Sequence, residues 1–280
     1  MKIIGQEQIV TELSQVFEIF TGSDGAIRPH LILTGPSGTG KTLIINSLAK
    51  KFGVDFLDIN AAAITKEGTS GNSLSKALSP LLQKANRLKV IFVDEFDKLF
   101  ISGNSNGDLA HETTNGVQNE FLKVLESGTA AVFGDYGKYT EVKVSNCLFI
   151  FGGAFNGQLD IGLDDLRDFG VKTEFLGRVG LVFNTSPLTL DDLYEILEQS
   201  TQLSMYLQVY QDAVREDVIK AIREVLASSY DNNTIGARLV NTLVNQYFIK
   251  KDAFNKTEKK VTFTKKLSLW PTKEQAGSNG

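Results

Sequence analysis

Apolar residues at Val10, Leu13, Val16, Phe17 and Phe20 recur at the three-and-four spacing of an amphipathic helix, which predicts a helix near the start of the chain. Gly22 to Pro29 is rich in turn formers and leads into an apolar strand, Leu31-Ile32-Leu33. A second helix is expected after Lys41, ending at Gly53, and Val54 to Asn60 is expected to be another strand. Ala61 to Asn72 is small and polar, the signature of an exposed loop, and a helix is predicted through Leu74, Leu78, Leu81 and Leu82 as far as Arg87. Lys89 to Glu95 is a near-continuous apolar run that closes on two acids, as a parallel strand buried on both faces would. Ser102 to Gly116 has no apolar period and predicts a long loop. Val117 to Leu125 restores a helix, Gly134 to Gly137 marks a hairpin, and Cys147 to Phe151 is another buried strand.

Strands alternating with helices predict an α/β fold around a parallel sheet. The pattern changes near Asn184-Thr185-Ser186-Pro187, and three helical stretches follow: Asp191 to Tyr210, Ala213 to Tyr230 and Gly236 to Ile249. We therefore expect a large α/β domain over 1–185, a small helical domain over 186–266 and a flexible tail over 267–280. Within the last stretches, Lys250 to Lys266 is lysine-rich and Lys260 to Thr264 alternates like a strand.

The strand at Leu31 runs into Gly35-Pro36-Ser37-Gly38-Thr39-Gly40-Lys41-Thr42, a full G-x-x-x-x-G-K-[ST] phosphate-binding loop. Its glycines allow a tight turn that brings backbone N–H groups to phosphate oxygens, and the helix that starts at Lys41 points its positive end at the same anion. Lys41 supplies charge for the terminal phosphates, and the Thr42 hydroxyl is placed to ligate Mg²⁺. Of the acid pair after the Val90–Val93 run, Asp94 is expected to hold that metal and Glu95 to orient and polarise the attacking water.

Charge and composition narrow the alternatives. The chain has 280 residues and a net charge of -4, which argues against a surface covered in nucleic-acid-binding charge without excluding a local basic patch. Cys147 is the single cysteine, so no disulfide framework or cysteine-based zinc site is expected. His30 and His111 sit near no second ligand and are read as structural or exposed. No apolar run reaches the roughly 18 residues of a membrane span, and MKIIGQEQIV lacks a signal-peptide core, so a reducing cytoplasm is the expected location.

Taken in order, these motifs resemble the AAA+ ATPases, and within them the ClpX/HslU-type protein unfoldases. Ile4-Gly5-Gln6 is similar to the opening segment of that clade, GPSGTGKT at 35–42 to its Walker A, and VIFVDEFDK at 90–98 to its Walker B. LFIFGGAF at 148–155 resembles the strand that follows, Thr173 to Arg178 the segment with the arginine finger, and Gly236-Ala237-Arg238 the sensor-2 motif. The resemblance implies ATP or ADP with Mg²⁺ as ligands. The implied binding residues are Ile3, Ile4, Gly35, Pro36, Ser37, Gly38, Thr39, Gly40, Lys41, Thr42, Leu43, Asp94, Ile196 and Arg238. Glu95, Lys41, Arg178 and Arg238 are the implied catalytic residues, and Thr42 and Asp94 the metal ligands. In this family the finger comes from a neighbouring subunit, so Arg178 implies a homo-oligomer, expected to be a hexameric ring.

Departures from the clade shape the functional expectation. Where an aromatic-hydrophobic pore loop is typical, Gly68-Thr69-Ser70-Gly71 offers little surface for gripping an arbitrary chain. Asn156 to Asp164 is too short for the loop that docks a ClpP-type peptidase, and Asn156 is the nearest candidate for a polar sensor-1 side chain. The expectation is a ring-forming ATPase that remodels or assembles a specific protein partner, without a peptidase and without a membrane. The alternative is a nucleic-acid-directed AAA+ protein, such as a loader or a transposition-type regulator, for which the lysines of 250–266 speak.

Overall fold

The computed structural model describes residues 3–64, 72–83, 87–100, 108–134 and 138–250, with side chains from residue 116 onward in the fourth stretch. Five strands form one parallel sheet: β1 (Leu31–Thr34), β2 (Asp55–Asn60), β3 (Lys89–Asp94), β6 (Cys147–Gly152) and β7 (Leu181–Asn184), in the order β2-β3-β6-β1-β7. A separate antiparallel pair, β4 (Thr129–Phe133) and β5 (Tyr139–Lys143), makes the expected hairpin. β1 lies between β6 and β7, and the chain leaves it toward one edge and returns on the other side. Such a reversal leaves a crevice at the carboxyl ends of the strands, the usual ligand position in open α/β sheets.

The central strands β1, β3 and β6 are nearly continuously apolar because both faces are covered. On one face α1 (Glu7–Gly22) and α2 (Lys41–Phe52) pack Leu13, Phe17, Phe20, Ile45 and Leu48 against Leu31, Leu33, Phe92 and Ile150. On the other, α4 (Asp108–Ser127), α5 (Leu163–Asp168) and α6 (Thr173–Arg178) help to enclose an aromatic core in which Phe96 meets Phe121, Phe151 and Phe175 with ring centroids 6.3, 4.8 and 5.3 Å away. A third cluster of buried residues belongs to α7 (Leu190–Glu198), α8 (Thr201–Val209), α9 (Arg215–Ser229) and α10 (Arg238–Ile249).

Several elements differ from the sequence expectation. The helix predicted from Leu74 to Arg87 is a four-residue turn, α3 (Leu74–Ala77), followed by a 3₁₀ segment at Ser79–Gln83, because Pro80 has no N–H for a continuing helix. The stretch predicted as one helix from Asp191 to Tyr210 breaks at Ser200, whose hydroxyl accepts the Leu203 N–H and caps a new helix. The loop expected over Ser102 to Gly116 is helical from Asp108 onward. Ala61 and Ile64, in the predicted exposed loop, are buried, and the strand β7 was not anticipated. The stretch at 68–71, the lysine-rich run beyond Lys250, the tail over 267–280 and the His111 side chain lie outside the described residues.

His30 is structural. Its Nδ1 accepts the Phe149 N–H at 3.0 Å, and burial, with the nearby Arg28 charge, pushes its pKa down to about 4. The folded chain therefore binds fewer protons than the unfolded chain, and stability must fall as pH drops from the unfolded value of 6.5 towards 4. Between pH 6.5 and 5 the expected loss is about 2 kcal/mol. Denaturant unfolding at both pH values measures it. His30→Asn, which keeps an acceptor but does not titrate, should flatten the dependence over that interval.

Candidate nucleotide site

The loop from Gly35 to Gly40 joins β1 to α2 at the carboxyl edge of the sheet. No acidic residue occupies the first turn of α2, so its positive end is left free to face an anion. Lys41 Nζ donates to the carbonyl oxygens of Gly35 at 2.6 Å and Pro36 at 3.0 Å, closing the loop on itself. Burial lowers the Lys41 pKa and the Arg238 charge lowers it further, while Asp94 and Asp97 act to raise it.

β3 delivers the acids. Thr42 Oγ1 donates to Asp94 Oδ2 at 3.0 Å, and the Glu95 N–H donates to the other oxygen, Oδ1, at 2.8 Å. Glu95 has a left-handed backbone, φ 55°, which turns the chain sharply after Asp94. A hydroxyl beside a carboxylate oxygen suits a hard cation that keeps most of its other ligands from water and phosphate. Among the described residues no group of three or more His, Cys, Asp or Glu could hold a metal without such help.

The ends of the neighbouring strands and the helical region complete the walls. After β7, Thr185 Oγ1 lies 2.7 Å from Thr39 Oγ1, and the Thr185 N–H donates to the Thr34 carbonyl at 2.9 Å. Gln6 clamps the chain where it leaves the sheet: its Nε2 donates to the Ser186 carbonyl at 2.7 Å, and its Oε1 accepts the Ser186 N–H at 3.1 Å. At the start of α10, the Ala237 N–H donates to the Gly38 carbonyl at 3.0 Å and Arg238 Nη1 to Ser37 Oγ at 3.2 Å. Here glycine is obligatory twice. A Cβ on Gly38 would stand 2.0 Å from the Ile235 oxygen, and one on Gly236 2.7 Å from the Gly38 oxygen.

These elements enclose a cavity of about 690 Å³, of the size that takes a small organic ligand. Ile3, Ile4, Ser37 to Leu43, Asp94, Glu95, Ile196 and Arg238 all line it. Gly35 and Pro36 contribute through the carbonyls that hold Lys41. Arg178 stands apart: at the end of α6 its side chain is 55 % exposed and pairs with Glu126 at 3.1 Å. Asn156 is exposed and is not part of the lining, where Ala154 is found instead. The lining also includes Asp97 and Lys98, which lie in the 90–98 motif but were given no role, and Leu188, Gln202 and Asn241, which lie in no motif. Asn241 was findable, since it lies three residues after Arg238 on one helix face. Leu188 gave no signal beyond being apolar.

A phosphate-binding loop, a strand-end acid pair and an arginine from a following helix converge on one cavity. Residues 31–159 match the AAA family, the ATPase family associated with various cellular activities. Over 88 % of its length the chain is 27 % identical to the ATP-dependent Clp protease ATP-binding subunit ClpX of Treponema denticola, covering 73 % of that protein. It is 26 % identical to the ClpX subunit of Bacteroides thetaiotaomicron over 86 % of this chain and 70 % of that one. Residues 31–159 are thus similar to an AAA ATPase domain, and the chain as a whole resembles ClpX. No helix among the described residues is long and apolar enough to cross a membrane.

Proposed function

We propose that the chain is a ring-forming, Mg²⁺-dependent AAA+ ATPase that remodels or assembles a specific protein partner. The observation that carries the reading is the meeting of Lys41, Thr42, Asp94, Glu95 and Arg238 around one cavity. Residues 1–185 act as the nucleotide-binding domain and 186–266 as a helical lid whose Arg238 reaches the phosphates. Thr42 and Asp94 hold Mg²⁺, which screens phosphate charge when bound. Glu95, free of the Thr42–Asp94 pair, orients the attacking water, and Ile3, Ile4 and Ile196 flank the base. Arg178 does not line its own cavity, which supports a role at a neighbour's nucleotide, and with it a closed ring, a hexamer by resemblance.

A protein partner without a peptidase is supported by the short run after β6. Ile161 is pinned to Asn184 through its N–H, 2.9 Å, and its carbonyl, 3.1 Å, and α5 begins at Leu163, which leaves no room for a docking loop. The test is direct. The purified chain should hydrolyse ATP in the presence of Mg²⁺, and a fluorescent ATP analogue should bind it. Lys41→Ala should weaken that binding by about 100-fold, because a charge-assisted contact to phosphate is lost. Equal affinity in Lys41→Ala and the unmodified chain would remove the phosphate assignment. ATP-driven unfolding of several unrelated stable proteins would replace the specific-partner reading with a general unfoldase.

A further inference from the structure

Asp97 lies two residues beyond Glu95, on the 3₁₀ turn Phe96–Leu99 that follows β3. It is 1 % exposed and forms part of the cavity wall, yet none of the roles above uses it. A buried carboxylate is costly unless it is paired and hydrogen-bonded. Its Oδ2 accepts the Phe155 N–H at 3.3 Å and lies 3.4 Å from Lys98 Nζ. The Phe155 amide belongs to the turn after β6, where Phe155 and Asn156 adopt φ of 43° and 58°. Two successive left-handed residues that are not glycine persist only where their surroundings hold them. The Phe155 ring is fully buried, with its centroid 5.2 Å from that of Phe169, and Ala154 just before it faces the cavity.

We propose that Asp97 is a positioning residue for hydrolysis. Its carboxylate ties the turn that carries Glu95 to the turn that carries Ala154, and so fixes the distance between the water-orienting acid and the opposite wall. The hydrogen bond to the Phe155 amide does this, and the negative charge is secondary. The proposal rests on the reading of Glu95 given under Proposed function. Because its hydrogen bond runs to the Phe155 backbone while only its charge acts on Lys41, its loss should lower turnover far more than nucleotide affinity.

Asp97→Ala and Asp97→Asn separate the possibilities. Asn offers an oxygen to the Phe155 N–H without a charge. The measurements are kcat and KM for ATP, the Kd of a fluorescent ADP analogue and the thermal midpoint. Asp97→Ala should lower kcat by about 100-fold, the effect of a small misplacement of a reacting group. KM and the ADP Kd should stay within about threefold, the mark of an interaction used only in the transition state. Asp97→Asn should recover most of the loss. If Asp97→Ala does not fold, Asp97→Ser, whose hydroxyl is too short to reach the amide, carries the same expectations. An unchanged kcat in the Ala or Ser variant overturns the proposal. So does a parallel fall in kcat and ADP affinity, which would make the role structural, or an Asn variant as slow as Ala, which would make it a matter of charge. No hydrolysis by the unmodified chain overturns the reading of Glu95 itself, and with it this proposal.

Discussion

Glu95→Gln is expected to bind ATP with near-native affinity and to hydrolyse it about 10²–10⁴-fold more slowly, the range for losing a positioned general base. The separation of binding from turnover follows from the geometry. Asp94 spends both its oxygens, on the Thr42 hydroxyl and the Glu95 N–H, whereas the Glu95 side chain takes no part in that pair. Its left-handed backbone turns the residue away from the strand axis and onto the cavity lining. An amide of the same shape keeps that turn and loses only the ability to accept the water's proton. Phosphate release under single-turnover conditions, beside equilibrium binding of a fluorescent ATP analogue, measures both. Native turnover in Glu95→Gln would assign water activation to another group.

An effect of similar or greater size is expected at Arg178. Arg178→Ala should reduce kcat by about 10³-fold or more if the guanidinium acts as an arginine finger. Stability offers no competing explanation, since the Arg178–Glu126 pair is exposed on both sides, 55 % and 44 %, and such pairs contribute little. The decisive measurement mixes two inactive proteins. When Arg178→Ala subunits assemble beside Glu95→Gln subunits, some interfaces join an intact Glu95 to an intact Arg178 across the boundary. Hydrolysis should reappear in the mixture while either protein alone remains slow. Mixtures that demonstrably co-assemble and stay inactive would end the trans-finger assignment and weaken the ring.

Most of the sheet was legible because its strands are buried on both faces, and burial leaves long apolar runs such as Val90–Val93 and Leu148–Phe151. β7 escaped for the complementary reason. It is an edge strand with Leu181 exposed and its other residues only half-buried, and its short apolar run Leu181–Phe183 lacks the motif that marks Leu31–Leu33. The breaks in the predicted helices were written in Pro80 and Ser200, whose backbone consequences outweigh the apolar spacing around them. The phosphate loop and acid pair were legible because phosphate and metal chemistry dictates residue type and spacing locally. Leu188 was not, since what brings it to the cavity is the crossing of separate segments, and the motif around Asp97 says nothing of the Phe155 amide that Asp97 meets. Neither Gln6 nor Thr185 announces in sequence that each fastens one segment to another.

The amide of Ala237 on the carbonyl of Gly38 has a thermodynamic consequence. A loop that turns its N–H groups towards phosphate must turn carbonyls the other way, and one of them is held from behind by the start of α10. Loop shape and helix orientation are then one equilibrium observed at two ends. Reciprocity follows: the factor by which nucleotide shifts the helices is the factor by which anything pulling on the helices shifts nucleotide affinity. If the cavity takes nucleotide as proposed, mechanical load on residues 190–249 would act as a dial on its occupancy, and a resisting partner would be felt at the phosphates.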